Sequence, residues 1–147
     1  VNLRLQYLAL VSLGVLYSLM FVGGYVSASG LGLSCPKWPL CPNGILPDQS
    51  YLIEWIHRFV AATTGVLIIS TAVGVWLNKQ SNKKIKITGT LAGALVLTQI
   101  TLGAIVIEAK LHAVLVAVHL GIGILLFSMT LLTVLFAFRM SKIPVTA

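Results

Sequence analysis

Two histidines, His57 and His119, lie inside long apolar stretches of the chain, where an ionisable side chain is costly enough to imply a use. His57 belongs to a short polar run, Glu54-Trp55-Ile56-His57-Arg58. In a helix Glu54 stands one turn before His57 and Arg58 flanks both, so all three crowd one helix end. Neutral imidazole is a metal ligand, and Glu-x-x-His is also the signature of di-iron bundles. That site needs two such motifs and two further inward glutamates. The acids here are Glu54, Glu108 and Asp48, the last two in loops, so di-iron is excluded.

The elements that must position these residues are membrane helices. The 147 residues are 58% hydrophobic and only 9% charged, with a mean hydropathy of +1.00, far from an ordinary soluble domain. Four apolar stretches, about Leu5 to Tyr25, Leu52 to Leu77, Ile87 to Ile107 and Ala113 to Phe138, are each long enough to cross roughly 30 Å of hydrocarbon. The expected fold is an all-α membrane protein, a single four-helix transmembrane domain over residues 1–147 with one long outer loop, about 27–51. Gly23, Gly24 and Ser27 follow a stretch already of span length, so the first segment reads as a retained helix and not a cleaved signal.

The net charge of +7 is unevenly placed. Arg4, Lys79, Lys83, Lys84, Lys86, Arg139 and Lys142 fall on one side of a four-span topology, and Lys37, Arg58 and Lys110 on the other. The positive-inside rule then puts both termini and the loop Asn78 to Lys86 in the cytoplasm, in a multi-pass protein of the cell membrane. The basic run reads as a topology signal that also meets anionic lipid headgroups, not as a nucleic-acid surface.

Both cysteines fall in the outer loop, in Ser34-Cys35-Pro36-Lys37-Trp38-Pro39-Leu40-Cys41-Pro42. Prolines at 36, 39 and 42 remove amide donors and fix backbone angles, which predicts a rigid, turned cap, with Trp38 placed to anchor it at headgroup level. In an oxidising compartment Cys35 and Cys41 can pair. They serve either as a structural disulfide or as a redox-active or nucleophilic pair held over the buried site. Zinc is disfavoured, because no histidine stands near them at ligand spacing.

His57 lies about five residues, or about 8 Å, past the start of its span, and His119 about seven residues, or about 10 Å, past the outer turn. The second and fourth helices of an up-down bundle run parallel, so the two imidazoles can approach one iron from opposite faces. Bis-histidine ligation of a haem is the concrete expectation. Ala61, Thr64 and Gly65 below His57, and Gly123 below His119, are small and would clear a groove for a flat macrocycle. For either histidine alone, a helix-to-helix hydrogen bond is the plainer alternative. His112 stands at the membrane surface and reads as an interfacial residue. Gln99 is a buried amide for bonding within the bundle, and Gly89 with Gly93 forms a GxxxG pair for close helix packing.

These strings together resemble haem A synthase, specifically one four-helix half of that internally duplicated, usually eight-helix family. The resemblance rests on Gly24-Tyr25-Val26, Ser29-Gly30-Leu31-Gly32-Leu33-Ser34-Cys35-Pro36, Trp38-Pro39-Leu40-Cys41, Glu54 with His57-Arg58, Gln99 with Gly103-Ala104, and His119-Leu120. It implies oxidation of the C8 methyl of haem O to the formyl group of haem A for terminal oxidases, with water as the oxygen source. His57 and His119 would be the axial ligands, and Glu54 an acid/base or cation-stabilising group near the reacting methyl. Cys35 and Cys41 would be a disulfide pair bearing on catalysis or stability, and Arg58 would meet a haem propionate. Two positions depart from the family pattern, Lys37 where Asp is frequent and Ser27 where Arg is, and they alter the loop's electrostatics.

The duplicated members carry two histidine pairs, one for substrate haem and one for a relay haem, so the resemblance implies a homodimer or higher homo-oligomer here. Other partners would be haem O synthase or a terminal oxidase, and the resident haem would be B, O or A. The alternative function is a non-catalytic membrane haem protein carrying electrons or haem. A third reading, a structural subunit with no cofactor, predicts colourless protein.

Overall fold

The computed structural model describes residues 2–41 and 48–141. Helix α1 spans Leu3–Ala28, α2 Leu52–Leu77, α3 Lys83–Glu108 and α4 Ala113–Ser141, and a 3-10 turn at Gln49–Tyr51 leads into α2. Each contains an 18-residue window with a mean hydropathy of 1.9 or more, and each is long enough to span a bilayer. The chain is an all-α, multi-pass membrane protein, as its hydropathy predicts. Pro42 and Lys142 lie outside the described residues.

The bounds of α2 fall where the apolar pattern places them. The other helices run past their apolar stretches, because polar residues extend a helix once its first amides are capped. Asn2 accepts from the Leu5 amide at 3.0 Å to open α1, and Asn82 from the Ile85 amide at 3.1 Å to open α3 a turn earlier, among the lysines. Helix α1 ends as Ser29 N donates to Tyr25 O and Gly30 takes φ +72°, a conformation glycine adopts without a steric penalty.

The helices form a four-sided ring, with α1 against α2 and α4, and α3 against α2 and α4, leaving α2 and α4 on the diagonal. Leu5, Val75, Ile85 and Ala137 fill the lysine-rich end, and Leu16, Ile68, Ala92, Val96 and Leu126 the middle. Between these layers Ser12 and Thr71 share a hydrogen bond of 3.0 Å, and Thr133 donates to Thr88 at 3.0 Å. These buried hydroxyls tie α1 to α2 and α3 to α4 where unpaired polar groups are penalised. The GxxxG pair does pack closely: a Cβ on Gly93 would stand 3.3 Å from the Ala72 methyl, and one on Gly89 3.5 Å from Val75.

Candidate haem site

Above the middle layer the packing changes in all four helices at one level. Residues 17–25, 55–63, 97–105 and 113–122 include no buried position, although each helix has buried residues beyond. Nine residues of helix rise about 13 Å, the scale of a macrocycle edge. His57 of α2 and His119 of α4 both lie at this less tightly packed level, each half-buried, on the two helices of the diagonal. The Nδ1 atom of each ring is buried without a hydrogen-bond partner. The two unpartnered imidazoles at one level therefore fit a group that takes imidazole nitrogen between helices.

Glycines on neighbouring helices make room for both rings. A Cβ on Gly23 of α1 would lie 3.0 Å from His57 Cε1, and one on Gly103 of α3 would lie 3.7 Å from His119 Cε1. Gly23 beside His57 is not among the groove positions that helical spacing marks, and the Gly23-Gly24 pair late in an apolar span is its one signal in the sequence. Of the groove residues expected from spacing, Ala61 lies at this level, while Thr64, Gly65 and Gly123 are used differently. Thr64 and Gly65 are buried, and Gly65 meets Ile100 of α3. Gly123 clears space not for a macrocycle but for Gln99, whose Nε2 stands 2.7 Å from where a Cβ would be. Gln99 Nε2 in turn donates to His119 O at 2.8 Å, fixing α4 against α3 at His119 itself.

The loop that follows α1 folds back over this level and is clamped by α2. Glu54 is buried, and its Oε2 accepts from Ser34 Oγ at 2.9 Å and from the Cys35 amide at 2.7 Å. Its Oε1 accepts from Arg58 at 2.6 Å, the i,i+4 pair that the spacing predicts. The Arg58 guanidinium also donates to the carbonyls of Cys35 at 2.6 Å, Pro39 at 3.2 Å and Lys37. Its terminal nitrogens are thus committed to the loop, and Nε is left buried without a partner. Glu54 and Arg58 pair at one end of α2 as their spacing predicts, but that spacing does not record that one carboxylate and one guanidinium hold the cysteine loop.

Cys35 and Cys41 form a disulfide, buried with Tyr51 and flanked by Trp55, which stacks on Phe59 at 5.4 Å between ring centroids. Trp38 is exposed on the loop surface, where it can reach headgroups. The α3–α4 turn supports the loop from the other side. Lys110 and Leu111 both adopt left-handed φ, at 53° and 61°, a strained choice costing about 1 kcal/mol or more per residue. In return the Leu111 side chain packs on the loop, with Cδ1 3.0 Å from where a Cβ on Gly32 would stand. His112 is exposed beside this turn, as expected of an interfacial residue.

Residues 47–146 match the COX15-CtaA family model, described as cytochrome oxidase assembly protein. The chain belongs to this family. Haem A synthase of Bacillus licheniformis is 30% identical over 141 residues, covering 94% of this chain and 47% of that protein. Haem A synthase of Bacillus pumilus is 28% identical over 142 residues, with 94% and 46% covered. Protohaem IX farnesyltransferase of Halobacterium salinarum is 34% identical over 124 residues, covering 82% of this chain and 26% of that protein. The chain spans about half the length of the haem A synthases it matches and about a quarter of the farnesyltransferase. The resemblance to haem A synthase thus holds across the four-helix unit.

Proposed function

We propose that this four-helix unit binds haem between His57 and His119 and oxidises the C8 methyl of haem O to the formyl group of haem A. The observation that supports this reading is a level shared by all four helices without a fully buried residue, in which the imidazoles of the two diagonal helices each keep a buried Nδ1 without a partner. The conversion is CH3 + H2O → CHO + 4 H⁺ + 4 e⁻. Haem iron supplies the redox chemistry when bound. His57 and His119 would hold the haem iron through their imidazole nitrogens, and Gly23 and Gly103 keep the flanking helices clear of the rings. Glu54, one turn from His57, is a buried carboxylate beside the histidine and would take up a proton or stabilise developing positive charge. The clamped loop covers the site and limits access of lipid and bulk water.

One histidine pair serves one haem, so the electrons leave through a second haem-bearing unit, most simply a second copy of this one. Monomeric protein that still converts haem O would refute that part. An enzyme that transfers a farnesyl group to protohaem IX would supply the substrate, and the likeness of this chain to a protein so named is in keeping with a role in related haem metabolism. The lysine-rich end faces the cytoplasm and the disulfide loop faces outward, on the positive-inside rule.

The test is to purify the protein, extract its pigment and identify the haem by mass, with and without co-production of a haem O supply. Haem A appearing only with that supply is the expected result. Haem B alone, with no formyl product, favours instead a non-catalytic carrier, a reading that the complete engagement of Glu54 by its neighbours also supports. Colourless protein overturns both. The site's geometry is tested by Gly23→Leu, whose side chain must displace the His57 ring. Overpacking of this kind is worth about 1–3 kcal/mol, so haem affinity should fall about tenfold by spectroscopic titration. The same change at Gly14, where a Cβ meets nothing within 4 Å, should leave affinity unchanged.

A further inference from the structure

At the end of the bundle away from the histidines, α2 and α3 form a shallow surface groove of about 360 Å³ lined by Ala72, Val73, Trp76, Leu77 and Thr90. Val73, Trp76, Leu77 and Thr90 are exposed in the chain, so in a bilayer they face lipid. The groove wall is fixed in advance. Trp76 Nε1 donates to Thr90 Oγ1 at 2.8 Å across the two helices, and Lys86 Nζ sits 5.1 Å from the centre of the indole ring. Lys83 precedes Lys86 by one turn and Thr90 by two, so the three share one face of α3.

The electrostatics here are of one sign. Lys79, Lys83, Lys84 and Lys86 gather at this end, and the N-terminus of α3 adds the positive end of its dipole. All three acids of the chain, Asp48, Glu54 and Glu108, lie toward the opposite end. A topology signal needs only the lysines. It does not need an aromatic wall pinned by a hydrogen bond beneath them.

We infer that this groove is a binding site for an anionic glycerophospholipid, whose phosphate lies between Lys83 and Lys86 and whose acyl chain runs along Trp76 and Val73. A zwitterionic lipid can fill the same groove, but its own cation offsets the attraction of the lysines. The preference for negative headgroups should therefore reside in Lys83 and Lys86, and chain contact should be reported by Trp76.

The experiment uses the purified protein in mild detergent, titrated with phosphatidylglycerol or phosphatidylcholine carrying brominated acyl chains. Tryptophan quenching is read, and Trp76→Phe identifies the Trp76 component, since Trp38 and Trp55 lie at the other end. Half-quenching of Trp76 should require about tenfold less phosphatidylglycerol than phosphatidylcholine. The double substitution Lys83→Gln and Lys86→Gln should erase that difference, because these two lysines supply the attraction for the negative headgroup. Glycerol phosphate without acyl chains should not displace the bound lipid. Equal quenching by both headgroups, a preference that survives the double substitution, or displacement by glycerol phosphate alone would each overturn the assignment.

Discussion

Replacing His57 or His119 with alanine should leave a folded four-helix protein that has lost its Soret absorption. The bulk of the apolar packing lies in the middle and lysine-end layers, around Leu16, Ile68, Leu126, Val75 and Ile85, far from either ring. Helix content and detergent stability should therefore change little. Haem affinity should fall by well over tenfold, since even residues that only support a metal ligand are worth about 10–100-fold. Each ring also carries a buried Nδ1 without a protein partner, so its removal strands no other group in the chain. His112→Ala is the matched control: that side chain is exposed at the surface and should retain full pigment. Unchanged haem content in both single variants would refute the bis-histidine site.

Glu54→Ala has the largest expected effect on stability. From the sequence alone its consequence should be chemical, with haem binding spared and formyl formation abolished. The structure adds a second effect. Glu54 Oε2 holds Ser34 and the Cys35 amide, and Oε1 holds Arg58, whose side chain is only 14% exposed. Its removal leaves a largely buried guanidinium and a loop amide without their acceptor, and breaking such a pair from one side costs about 3–5 kcal/mol. The loop should loosen over the site, read as faster proteolysis between Ser29 and Cys41 and faster reduction of the disulfide. Glu54→Gln keeps an acceptor for the loop but removes the charge. It should recover much of the stability while remaining inactive if the carboxylate takes part in chemistry. If Glu54→Gln restores formyl formation as well as stability, Glu54 is a positioning residue and the proton goes elsewhere.

The sequence by itself determined the class of molecule and its vertical coordinates. Hydropathy set four spans, helical rise put His57 and His119 at matched depth, and i,i+4 spacing paired Glu54 with Arg58. These are properties along one helix, fixed by its 1.5 Å rise and 3.6-residue turn. Only the tertiary structure decided what stands opposite each side chain. Gly23 faces His57 and Gln99 occupies the space beside Gly123, while Leu111 braces the loop and Arg58 spends its terminal nitrogens on loop carbonyls. Those relations depend on the rotation of each helix about its own axis and on the path of a proline-rich loop. Both are set by packing between segments distant in sequence, which local periodicity does not record.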